Sequence, residues 1–137
     1  MPEIKYNRPG RRNYISIHKH QRTSGSRFSK WLSIDIEKRT FDNADYGNFT
    51  HLPGGIAWLD GSVLWGFLIN QQVLGMGGEQ FGYFIGQVNP ALEWHGYPVI
   101  PFSIPRFNIS TILIERWVRE GVLDQDDVPA LMNKKRI

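Results

Sequence analysis

The sequence predicts an α+β fold: an antiparallel, meander-type sheet of about six or seven strands with one or two C-terminal helices packed on it. Three observations carry that prediction. Residues 56–99 break into apolar runs (IAWL, SVLWGFLINQQVLGM, EQFGYFIGQV and EWHGYPV) separated by Asp60-Gly61, Gly77-Gly78 and Asn89-Pro90. The first two dipeptides are hairpin signals, because a tight type I′ turn needs positive φ at both central residues. Further on, Leu113, Ile114, Trp117 and Val118 recur at the spacing of one helical face. A chain of 137 residues, 41% apolar and 21% charged, has the size and composition of one folded domain.

Taken in order, residues 1–12 read as a basic, irregular arm, because Pro2 and the Arg8-Pro9-Gly10 turn signal leave no periodic apolar face. Residues 13–20 alternate, with Ile15 and Ile17 on one side. Residues 28–38 alternate again, with Leu32, Ile34 and Ile36 inward. The two segments are expected to pair as a hairpin whose tip is the basic loop QRTSGSR. Residues 40–55 read as a long connection with turn chemistry at each end. Gly66, Gly82 and Gly86 fall inside expected strands, where glycine marks a bulge or a close backbone approach. Pro98, Pro101 and Pro105 keep the following stretch extended. A helix is expected from Asn108 or Ser110 to about Glu120, with Gly121 at its C′ position. A short one follows over about residues 125–133, with Asp124 as cap. The chain thus divides into an arm (1–12), a β-rich part (13–99) and a helical part (108–133) of a single domain.

Charge is distributed unevenly. The first thirty residues hold eight cations against Glu3 alone; residues 31–133 hold five against twelve carboxylates. A basic arm is attached to an acidic body, and an arm of that sign can also fold over the body. The absence of cysteine excludes a disulfide framework, a thiolate metal site and a cysteine nucleophile. No apolar run approaches the roughly 18–20 residues of a membrane span. No hydrophobic segment follows the basic N-terminus, so neither a signal peptide nor a membrane partner is expected and a cytoplasmic location is. Gly75-Met76-Gly77-Gly78 lacks the lysine and serine of a phosphate loop, and no nucleophile-elbow pattern occurs. No cofactor is expected.

Four sets of side chains are candidates for function. His18 and His20, two apart, share one face of a strand and could hold a metal only with ligands from elsewhere; two exposed histidines are the simpler reading. Glu93, His95 and Tyr97 place a carboxylate, an imidazole and a phenol on one strand face, the parts of a general acid–base site. Arg8, Arg11, Arg12, Arg22 and Arg27, interleaved with aromatic residues, suit nucleic-acid backbone contact and base stacking. Asp35, Glu37, Asp42, Asp45 and Asp60 form an acidic set suited to docking a basic protein. The leading expectation is a non-enzymatic protein-interaction module, most concretely an immunity-type inhibitor that neutralises a partner toxin or enzyme. The alternative is a nucleic-acid-binding protein or metal-independent ribonuclease using His95 and the arm.

Overall fold

A computed structural model describes residues 3–17, 20–21, 29–51, 55–86 and 93–134. The fold is α+β, with six antiparallel strands in two sheets and three helices among the described residues. The main sheet is a meander of β3 (Leu59–Asp60), β4 (Val63–Gly66), β5 (Phe81–Ile85) and β6 (His95–Val99), adjacent in chain order. The β3–β4 hairpin pairs Asp60 with Val63, so its turn is Gly61-Ser62, one residue later than expected, and Gly61 takes the positive φ of +63°. The β4–β5 connection is not a hairpin. It holds a 3-10 turn at Ile69–Gln71 and a tight turn in which Leu74 N–H donates to Glu79 O at 2.8 Å.

The N-terminal strands β1 (Ile4–Tyr6) and β2 (Tyr14–Ser16) pair with each other, not β2 with residues 28–38. The small sheet lies beside the large one: Ile15 N–H donates to Trp94 O and Trp94 N–H donates to Asn13 O, at 2.8 and 2.9 Å. The expected loop at residues 22–27 falls outside the described residues.

The main correction concerns residues 28–55. A helix, α1 (Ile34–Tyr46), occupies the end of the expected second strand and the start of the expected connection. Its local signals are sound. Ser33 Oγ accepts from Ile36 N–H, Asp35 and Glu37 lie in the electropositive first turn, and Gly47 closes the helix at φ +72°. α1 covers one face of the main sheet, where Phe41 and Ala44 pack with Tyr14, Trp31, Leu64 and Phe84. The other face is covered by α2 (Thr111–Glu120) and α3 (Val128–Met132), through Leu113, Ile114, Trp117 and Leu131 against Trp65, Phe67 and Phe81. As expected, Ser110 caps α2 and Gly121 ends it. Asp124 instead accepts from Asp126 N–H, and α3 starts later, at Val128. No helix among the described residues is long and apolar enough to cross a membrane.

Two of the strand glycines explain how α1 sits. Gly66 and Gly82 are cross-strand partners, and a Cβ on Gly66 would lie 2.6 Å from Thr40 O. The missing side chain at Gly66 lets the helix backbone approach the sheet, and the one at Gly82 leaves room for the Phe84 ring and Thr40 Cγ2. Gly66→Ala should therefore destabilise the fold by about 1–3 kcal/mol, read as a lower urea midpoint; an unchanged midpoint would show that α1 can shift at no cost.

Candidate functional site

The structure joins two of the sequence-level candidate sets to each other. Asp45 on α1 is fully buried and accepts from Arg8 Nη1 at 2.7 Å, Arg11 Nε at 3.0 Å and Arg12 Nη1. Asp42, one helical turn earlier, accepts from Arg8 Nε at 2.8 Å and Tyr6 OH at 2.9 Å. Burial raises the Asp45 carboxyl, but the hydrogen bonds and charges of Arg8 and Arg12 outweigh it and hold the group below its usual range. The basic arm is thus folded over the acidic body. Glu37 is also buried, taking hydrogen bonds from Tyr14 OH at 2.5 Å and Ser16 Oγ at 2.8 Å. Burial pushes its pKa up to about 7, against the lowering effect of those two donors and of Lys38. Asp60 accepts from Ser110 N–H at 2.8 Å. Of the five carboxylates, Asp35 alone is well exposed, and it pairs with Arg39 one helical turn on.

Glu93, His95 and Tyr97 lie at β6 as expected. Tyr97 packs on Tyr83 and Phe107, so by strand alternation His95 and Tyr97 face the α2 side of the sheet. Arg8, Arg11 and Arg12 lie on the α1 side, held by Asp42 and Asp45. They do not converge on His95. Glu93 pairs with Lys5 at 3.5 Å. His20 stacks on Tyr97, with ring centroids 4.6 Å apart. His18, Arg22 and Arg27 lie outside the described residues. Among the described residues no group of three or more metal-ligating side chains comes together.

A cleft forms around a residue that the sequence did not single out, His51. It separates two hollows. One, of about 310 Å³, is lined by Tyr6, Arg8, Arg11, Asp42 and Tyr46. The other, of about 230 Å³, is lined by Arg39, Asn43, Phe49, Leu68, Ile69 and Gln72. His51 is fixed on three sides. Its backbone N–H bonds Asn48 Oδ1 at 2.5 Å, its ring lies 5.0 Å from that of Tyr46, and Nε2 lies 2.8 Å from Asn43 Oδ1. Asn43 Nδ2 donates to Phe67 O, which leaves Oδ1 as the acceptor for His51 Nε2–H. Nδ1 takes no hydrogen bond from a described residue, so the imidazole can offer that nitrogen to a ligand. Arg11 extends the stack, its guanidinium 4.0 Å from the Tyr46 ring centroid.

The backbone around the second hollow is strained. His51, Asn70 and Gln71 have φ of +57°, +62° and +47°. Asparagine tolerates this region; histidine and glutamine adopt it at a cost, on the order of 1–3 kcal/mol each. Between them Ile69 stands at the rim, 60% exposed. A third hollow, of about 310 Å³ beside Leu59 and Ile112, is differently built. Its polar groups are already occupied, Asp60 by Ser110 and Arg116 by Glu120 and the carbonyls of Ile56 and Ala57. The His51 cleft had no sequence signal beyond Asn70, because its walls come from α1, the turn after it and the β4–β5 connection.

Comparison of the chain with known protein families, curated proteins and solved structures finds no match in any of the three. What the cleft can do chemically follows from its walls alone. It offers one oriented imidazole nitrogen, the exposed Ile69 and stacked cationic and aromatic groups.

Proposed function

We propose that this chain is a protein-interaction module that receives a segment of a partner protein at the His51 cleft, an immunity-type inhibitor being its most concrete form. The observation that supports this is the strained rim: left-handed His51 lines one hollow together with Ile69 and Gln72, the two residues between those last in the chain, Asn70 and Gln71, are also left-handed, and Ile69 is exposed. Strain of this kind persists where surrounding structure enforces it, and it clusters at binding sites. An exposed aliphatic side chain next to a shaped hollow gives a partner apolar surface to bury. The acidic set is a weaker basis for docking, because Glu37, Asp42, Asp45 and Asp60 hold the fold together.

A photo-crosslinking residue tests this when placed at position 69 and, as a control, at Ile112, which is more exposed still. In the cells of origin, position 69 should join one protein that position 112 does not. Ile69→Asp should then weaken that complex by at least about tenfold, since an anchor is worth on the order of 1–2 kcal/mol or more. Crosslinks to RNA or DNA at position 69, or equal labelling from both positions, would overturn the reading.

A further inference from the structure

We propose that the segment entering the cleft is basic, laying an aliphatic side chain against Ile69 and its cations against the carboxylate turn at residues 124–127; this rests on the cleft reading above. The loop that forms the rim also carries that turn. Ile69 and Gln72 line the hollow, while Gln71 between them points inward, only 2% exposed. Gln71 Oε1 accepts the backbone N–H of Asp124, so one side chain fastens the acidic turn to the cleft rim. Gln71 Nε2 is buried without a partner. A buried donor in that state costs on the order of 1–3 kcal/mol, a further strain held in the loop at the cleft rim.

Among the described residues, the charge at this edge has no counterpart. Asp124, Asp126 and Asp127 lie within four residues, and among the described residues none of them forms an ion pair. Burial and the negative charges of Asp124 and Asp126 raise the Asp127 carboxyl, as expected where no cation offsets the cluster. Among the described residues the one cation lining the hollow is Arg39, paired with Asp35 at 3.0 Å. The rim carries the exposed Ile69, and Val73, four residues on, is 39% exposed. An apolar contact flanked by uncompensated carboxylates selects a segment carrying lysine or arginine next to a large aliphatic residue.

Selection of a phage-displayed library of random dodecapeptides against the full chain tests both readings separately. The expected peptides combine at least two cations with an aliphatic residue. Their affinity should fall about tenfold with Ile69→Asp, about tenfold with the double change Asp126→Asn and Asp127→Asn, and not at all with Ile112→Asp. All four replaced side chains are exposed or partly so, and the variants should melt as the parent does. Peptides that need Ile69 but carry no cations and ignore the aspartate changes would overturn the basic partner and leave the cleft reading standing. Peptides indifferent to Ile69→Asp would overturn both.

Discussion

Glu37→Gln should hold stability level between about pH 5 and about pH 8, a range over which the parent protein loses it. The carboxyl is fully buried on α1, and its pKa is raised from 4.5 to about 7, mainly by burial. In the unfolded chain the group ionises near its ordinary value. Between the two values the folded state therefore binds more protons than the unfolded one, so stability falls as pH rises through the window and levels off above about 7. A displacement of this size is worth about 3 kcal/mol, which at this chain length is a melting shift of about 10 °C. Glutamine is close in shape to the protonated carboxyl. Its oxygen can keep one of the bonds from Tyr14 and Ser16, and its amide can donate to the other oxygen. The variant should thus match the parent near pH 5 and exceed it near pH 8. Calorimetry at the two pH values decides. Equal destabilisation of the variant at both would mean that the ionised carboxylate is what the site requires.

The same residue shows why the N-terminal half of the fold was hard to read. The buried positions of α1 are Glu37, Thr40, Phe41, Asn43, Ala44 and Asp45, and four of the six are polar. A period search that looks for apolar residues finds only Phe41 and Ala44 there, and the shorter alternation of Leu32, Ile34 and Ile36 prevails. Ser33 and Gly47 cap the helix, but they bracket one whose inner face is made of hydrogen-bonding groups, so the strand alternation prevails. α2 is the opposite case. Leu113, Ile114 and Trp117 are buried and apolar, and Ser110 and Gly121 bound the helix as their chemistry predicts. The strand glycines pointed to a bulge or a close backbone approach; at Gly66 it is a close approach, by the backbone of the helix that was missed. The opposing charges of arm and body were visible in the sequence. Their meeting at Asp42 and Asp45 was not, because it depends on α1 carrying both carboxylates to the arm.

That meeting sets the second large expectation. Asp45→Ala should cost about 3–5 kcal/mol, since it leaves Arg8 buried with fewer counter-charges. Arg8 also retains an unpartnered Nη2, partly compensated by the Phe41 ring 4.9 Å away. Because Arg11 and Arg12 bond the same carboxylate, the change should release residues 8–12 as a unit, seen as faster amide exchange there and at β1 than at β5. Asp35→Ala is the matched control: its pair with Arg39 is exposed and worth about 0.3–0.5 kcal/mol. The pH dependence has the opposite sign to that of Glu37. Asp45 is held below its ordinary pKa, so its contribution is complete above that value and disappears as pH falls through the folded one. The parent should therefore be most stable on the acidic side of neutrality, between the fall due to Glu37 and the fall due to Asp45. If Asp45→Ala costs no more than Asp35→Ala, the arm is not held by this cluster. The wall of the larger hollow, which Arg8 and Arg11 form, would then have to be supported by the β1–β2 pairing alone.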